Sequence, residues 1–198
     1  MEFEDVVRKR RMIRRFGTEA LEAREVQRIV RNGARAPSAG FAQGYAFLVF
    51  DGAEEVSHFW SSLRGGDREP PFDPEVMNAP LIVVPLANKD AYLDRYAEPD
   101  KAWADRDEAR WPVPYWYIDT GFTALLMLLT AVDEGLGALF FGLPPDVTDR
   151  FRTAFGVPPA YVPIGAVAVG HRTDDPGRGS ADTRRRIPLD ELVHPGRW

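Results

Sequence analysis

The stretch from Ile118 to Val132 constrains this chain most. It is strongly apolar, carries one charge, Asp119, and is shorter than the ~20 residues that cross a bilayer. It therefore predicts a buried core helix and no membrane partner. Ile118, Phe122, Leu125, Leu126, Leu129, Val132 and Leu136 recur at helical spacing, and further apolar residues cover much of the remaining surface. Such a helix needs neighbours on most sides, so it predicts a central element enclosed by the rest of the fold. Gly135-Leu136-Gly137 marks its end, and Ala138-Leu139-Phe140-Phe141-Gly142 continues as a buried strand.

With 198 residues, 44% of them hydrophobic, the chain can close one sizeable core, which predicts a single domain over 1–198. Residues 3–10 place Phe3, Val6 and Val7 on one face of a short helix. A second helix is expected around 22–35, where Val26, Ile29, Val30 and Gly33 follow helical spacing before Ala36-Pro37 stops it. Tyr45 to Phe50 reads as a buried strand stopped by Asp51-Gly52, and Ala79 to Leu86 as another. Residues 145–155 suggest a helix, and Tyr161 to Gly170 a further strand. From about 88 to 116 charges mingle with tyrosines and tryptophans, which reads as an excursion or lid. Arg172 to Trp198 is polar and glycine-rich and reads as an extended C-terminal tail. Helices and strands mix without strict alternation, which predicts an α+β fold.

The chain has no cysteine, so thiolate catalysis, iron–sulfur clusters and cysteine zinc sites are excluded. His58, His171 and His194 show no ligand spacing, and no metal is expected. A net charge of −5 gives no general attraction for nucleic acid, so any basic site is local. The N-terminus lacks an apolar signal-peptide region, which makes the cytoplasm the expected location.

Four segments are able to carry chemistry. Arg8-Lys9-Arg10-Arg11-Met12-Ile13-Arg14-Arg15-Phe16 holds six basic residues in its first eight positions. It reads as a solvated basic helix end, as a polyanion-binding arm, or as a phosphate site. Burial of Met12, Ile13 and Phe16 would fix the intervening guanidinium groups in direction, as a discrete phosphate requires. Ala36-Pro37-Ser38-Ala39-Gly40-Phe41-Ala42-Gln43-Gly44 is a small-residue loop that lets backbone approach a flat ligand, with Ser38 and Gln43 as hydrogen-bonding groups. Gly135 to Gly142 offers backbone N–H groups at a strand end. Arg184-Arg185-Arg186-Ile187-Pro188-Leu189 is a second basic cluster, far along the chain.

In this order the four segments resemble the FMN-dependent nitroreductase family. Arg10-Arg11-Met12-Ile13-Arg14-Arg15-Phe16 is similar to its Arg-Arg-Ser-x-Arg-x-Phe motif, and Ala36 to Gln43 to its Ala-Pro-Ser-x-x-Asn-x-Gln motif. Asp119-x-Gly121, leading to Gly135-Leu136-Gly137, resembles its central helix. Arg184-x-Arg186-x-Pro188-Leu189 resembles its terminal basic motif.

The resemblance implies a nitroreductase-like fold: a central mixed or antiparallel sheet flanked by helices around a long buried helix, in an intertwined homodimer. It implies an oxidoreductase that uses FMN to pass reducing equivalents from NAD(P)H to an electron-poor organic acceptor by a ping-pong scheme. No nucleic acid is implied. Arg10, Arg14, Arg11 and Met12 would meet the FMN phosphate and ribityl chain, with Arg186 and Arg184 closing the phosphate site. Pro37, Ser38 and Ala39 would line the cofactor from the partner subunit, with Gln43 in the same motif, and Phe140, Phe141 and Gly142 would lie along the flavin. Trp111 and Trp116 would favour a planar substrate by stacking. The lack of a Gly-x-Gly-x-x-Gly turn agrees with a nicotinamide that visits and leaves. Met12 in place of Ser, Phe41 in place of Asn and Gly44-Tyr45 in place of Pro-Trp depart from the pattern, as do Leu125 and Leu126. These departures also suit a flavin-binding or flavin-sequestering protein with little turnover.

Overall fold

A computed structural model describes residues 1–64, 73–101, 103–173 and 183–198. Five strands form one sheet whose pairings are all antiparallel: β1 (Tyr45–Asp51), β2 (Leu81–Asn88), β3 (Gly137–Phe141), β4 (Tyr161–Pro163) and β5 (Ala166–Gly170). The order is β1-β2-β5-β3, and β4 pairs with the other half of β2.

The two-residue period of the strands sorts their side chains into two cores. Ile82, Val84, Leu86, Leu139, Phe141, Ala166 and Ala168 face one side. There they pack on Val56, Phe59, Trp60 and Leu63 of α3 (Ala53–Leu63) and on Val147 and Phe151 of α7 (Pro145–Ala154). Leu81, Val83, Ala138, Val167 and Val169 face the other. They pack on Val26 and Ile29 of α2 (Ala23–Gly33) and on Ala124, Met127, Leu128 and Ala131 of α6 (Tyr115–Asp133). Covered on both faces, β2 and β5 are apolar without alternation, although antiparallel sheets often leave one face to solvent.

Three expectations need correction. The strand at 45–50 is the edge strand β1, and most of it is only half-buried. The run from Tyr161 to Gly170 is two strands separated at Ile164-Gly165. Gly165 has φ +146°, and a Cβ there would lie 2.6 Å from the Phe141 carbonyl oxygen. The segment at 88–116 is not simply a lid: it contains α5 (Lys89–Ala97), whose Tyr92 is fully buried and packs with Ala87 and Trp116 in a third small core.

The central helix carries the largest surprise. Its buried side is formed by Trp116, Asp119, Thr120, Thr123, Ala124, Met127, Leu128, Thr130 and Ala131. Ile118, Phe122 and Leu125, three members of the apolar row expected in the core, are 38%, 41% and 46% exposed. The threonines are buried at low cost because each hydroxyl donates to a carbonyl of its own helix, Thr120 to Trp116, Thr123 to Thr120 and Thr130 to Leu126. On α1 (Phe3–Lys9), Val6 is buried while Phe3 and Val7 are exposed. The described tail, with α8 (Leu189–Leu192), also presents Ile187, Leu189, Leu192, Val193 and Trp198 to solvent. The expected tail residues 174–182 lie outside the described residues.

Candidate functional site

The basic segment leaves α1 at Arg10 and runs along the end of the sheet. The Ile13 N–H donates to the Ala138 carbonyl at 2.9 Å, Gly17 N–H to His171 at 2.9 Å, and Thr173 N–H to Arg15 at 3.2 Å. Ile13 and Phe16 are buried and Met12 half-buried, as expected of the apolar residues that interrupt the basic run. Room for them comes from the facing glycines Gly137 and Gly170. A Cβ at Gly137 would meet Ile13 Cγ2 at 3.0 Å, and one at Gly170 would meet Pro80 Cδ at 2.6 Å and Phe16 Cδ1 at 3.2 Å.

Anchored in this way, the guanidinium groups have different surroundings. Arg15 pairs with Glu75 at 2.6 Å and Arg8 with Asp5 at 2.7 Å. Arg11 turns back onto the carbonyls of Arg8 and Arg10, at 2.8 and 2.9 Å, and Arg14 reaches the Met12 carbonyl at 3.2 Å. Arg10 is half-buried and has no ion-pair partner among the described residues. A cleft of about 520 Å³ opens beside the segment, lined by Arg8, Lys9, Arg11 and Arg172 over Ile13 and Leu136.

The loop at 36–44 is held just as firmly, at the other end of α6. Asp119 Oδ2 accepts the Ala39 N–H at 2.8 Å and the Tyr92 hydroxyl at 2.9 Å. Arg95 Nε donates to the Gly40 carbonyl at 2.8 Å, and Gln43 N–H to Ser38 Oγ at 2.9 Å. Phe41 and Gln43 take left-handed backbone angles, φ +57° and +50°, which cost energy in non-glycine residues. Phe41 is 73% exposed. Gly44 permits the turn into β1, since a Cβ there would lie 2.5 Å from the Tyr92 ring and 2.6 Å from the Asn88 carbonyl oxygen. Burial, and then the Asp119 hydrogen bond, raises the Tyr92 hydroxyl above the usual tyrosine range. Tyr45 is raised by burial and then by the nearby Asp119 charge.

Within one chain these two halves stand apart. The loop is tied to Asp119 near one end of α6 and the basic segment lies by Val132 near the other, and 13 residues of helical rise place them about 20 Å apart. The remaining expected site residues are scattered. Phe140 is half-buried, with its ring where a Cβ on Gly165 would fall, and Gly142 is exposed. The Phe141 ring stacks on Trp60 in the α3 core, 5.6 Å between centroids, so only its backbone is left for a ligand. Arg184 and Arg186 are exposed on the tail, and Pro37 is exposed on its loop.

Trp111 sits at the hub of an aromatic cluster, with ring centroids 4.5 Å from Tyr96, 5.5 Å from Trp103 and 5.9 Å from Tyr92. Trp116 is buried beside it and borders a second cleft of about 490 Å³.

The Nitroreductase family model matches residues 7–171, from the last residues of α1 to the end of β5. The chain belongs to the nitroreductase family. Among curated proteins it is 25% identical over 196 residues to an NADPH-dependent oxidoreductase of Staphylococcus aureus (strain USA300), covering 98% of this chain and 73% of the relative. A nitroreductase family protein of Clostridium difficile 630 has the same fold, with TM-score 0.73 and 20% identity over all of both chains. So does a structure from Exiguobacterium sibiricum 255-15 solved in complex with FMN, with TM-score 0.72 and 21% identity over 98% of this chain and 97% of that one.

Outside the sequence motifs, Arg95 of α5 ties the loop of this candidate site at Gly40, and Tyr92 of α5 donates to Asp119, which the sequence marks both in the Asp119-x-Gly121 motif and as the charge within the apolar run. That lone charge was the available signal, because a carboxylate inside an apolar helix needs donors to satisfy it. For Tyr92 and Arg95 the sequence carried no signal, since their partners lie dozens of residues away.

Proposed function

We propose that this chain is an FMN-dependent oxidoreductase that works as a homodimer. It takes reducing equivalents from NAD(P)H and passes them, in a ping-pong sequence, to an electron-poor organic acceptor such as a nitroaromatic or a quinone. The observation that carries the reading is the half-buried residue Arg10, without a carboxylate partner among the described residues, in a segment fixed by Ile13 and Phe16 beside the cleft lined by Arg8, Lys9, Arg11 and Arg172. A cation held in that way favours a compact anion such as a phosphate ester. The NADPH-dependent relative supports the donor, and the FMN-bound structural neighbour supports the cofactor.

The donor set fits FMN. Arg10 and Arg14, with Arg11 and the Met12 backbone, would take the phosphate and ribityl chain, and Arg184 and Arg186 would add charge there. Pro37, Ser38 and Ala39, with Gln43, would line the cofactor, and the backbone at Phe140 to Gly142 would lie beside it. The flavin, when bound, supplies the redox chemistry. The chain's own residues bind it, orient it and exclude water.

A homodimer explains the separation of the two half-sites. Ile118, Phe122 and Leu125 form an exposed apolar row along α6, and Phe3 and Val7 extend it. A two-fold axis perpendicular to that face would lay the two α6 helices antiparallel and carry the loop of one protomer toward the basic segment of its partner. The exposed apolar residues of the tail provide a second surface for the same contact.

An absorption spectrum of the purified protein tests the reading. The expected result is a yellow dimer that NADPH bleaches anaerobically and a quinone or nitroaromatic reoxidises, with parallel steady-state lines at varied acceptor. A yellow protein inert to both would leave only a flavin binder, and a colourless monomer would overturn the proposal.

A further inference from the structure

We propose that Asp119 is the positioning residue of the flavin site, acting through the Ala39 backbone rather than by touching the cofactor. The inference rests on the functional reading above.

The chemistry begins with a buried carboxylate. Asp119 is 3% exposed and belongs to the buried side of α6. Such a group persists only when donors satisfy it, and here both donors converge on one oxygen: Ala39 N–H and Tyr92 O–H. The Ala39 bond crosses 80 positions of sequence. It fastens the end of the Pro37-Ser38-Ala39 segment to the buried side of α6.

The loop needs such a support because its backbone is not at ease. Phe41 and Gln43 hold left-handed angles, a conformation that lasts only where surrounding contacts over-determine it. Asp119 holds the loop at Ala39, Arg95 at Gly40, and Ser38 closes it onto Gln43. Arg95 is itself clamped by both carboxylate oxygens of Asp100, at 2.7 and 2.8 Å. Asp119 is the tie that comes from the long helix beneath the dimer face. The residue that shapes the loop is therefore part of the helix whose other side would meet the partner, and loop geometry and dimer geometry share one element.

Preorganised backbone raises affinity by removing the ordering cost from the binding step. Loss of Asp119 should weaken FMN while leaving a folded protein. The test titrates apo-protein with FMN by flavin fluorescence, records the visible circular dichroism of the bound flavin, and follows thermal unfolding in parallel. Asp119→Ala, which removes the acceptor, is expected to raise the FMN dissociation constant about 10- to 100-fold, equivalent to about one hydrogen bond to a charged group. It should also change the flavin dichroism. Asp119→Asn keeps a carbonyl acceptor and is expected to restore affinity to within about threefold. Tyr92→Phe removes the second donor and leaves the Ala39 tie, so it should lower the unfolding temperature with little effect on FMN.

Equal FMN affinity of Asp119→Ala and wild type would overturn the inference, as would a Tyr92→Phe variant that loses FMN as severely as Asp119→Ala. If Asp119→Ala does not fold, the comparison of Asp119→Asn with Tyr92→Phe decides: the inference fails if the Asn variant binds FMN as poorly as an unliganded control. A wild-type protein that takes up no FMN would sink the functional reading instead.

Discussion

The backbone N–H of Ile13 donates to the carbonyl of Ala138 at 2.9 Å, and the Ile13 side chain fills the space that a side chain on Gly137 would take. The basic segment is thus attached to the strand whose far end carries Phe140 and Phe141. Gly137→Val should push Ile13 away from the sheet. We expect a loss of about 1–3 kcal/mol of stability, as for overpacked cores, together with weaker FMN uptake. Urea denaturation and flavin titration check the two effects separately.

Arg10 and Arg15 are near neighbours with different expected effects. Arg15 already has Glu75, a pair that is more than one-third exposed on both sides and worth at most about 1 kcal/mol. Arg10→Ala should raise the FMN dissociation constant about tenfold or more with almost no change in the unfolding midpoint. Arg15→Ala should cost a little stability and leave FMN nearly unaffected. Raising the salt concentration should weaken FMN in the wild type more than in Arg10→Ala, as a titration series would show.

Two features of the fold mark the limits of what the amino-acid string discloses. Spacing alone places a helix over the run from Ile118 to Val132, and apolarity alone says that Ile118, Phe122 and Leu125 must be covered. Neither says by which molecule. The side that the chain covers itself carries Asp119 and three threonines, which look like a solvent face until their hydroxyls are seen returning to the helix backbone. In the segment from 88 to 116 the buried Tyr92 is hidden among charges, because its burial depends on Trp116 and Ala87 from other elements. The basic segment and the small-residue loop were legible as segments because residue type marks them. Their separation along α6 was not, since it is set by the length of a helix that no motif records.

A carboxylate placed in the exposed row on α6 should abolish the proposed dimer. In a two-fold contact every substitution appears twice, so Phe122→Glu would bury two carboxylates near each other, at a cost of several kcal/mol. Light scattering should give the mass of one chain for Phe122→Glu and of two for the wild type. The monomer should also fail to retain flavin, because each site would lack the partner's loop.

Tyr92 gives the protein an alkaline limit. Its hydroxyl is raised by burial and by Asp119, so the folded state keeps a proton that the unfolded state gives up near pH ~10. A folded value above the unfolded one means stability that is complete below about pH 10 and declines as pH rises beyond it. Wild type should lose stability above about pH 10 more steeply than Tyr92→Phe. Urea midpoints taken at intervals from neutral pH upward would show the two curves converging.

Because its threonine hydroxyls look inward to their own backbone, most of the covered side of α6 makes no directional demand on what it packs against, and greasy contacts alone would tolerate sliding or rolling. Two polar ties remove that freedom: Asp119 to Ala39 and Tyr92 near one end, and Thr130, which accepts from Asn32 at 3.1 Å, near the other. Eleven residues apart, or about 16 Å, they act as two dowels in a beam, locking its azimuth and its axial offset together.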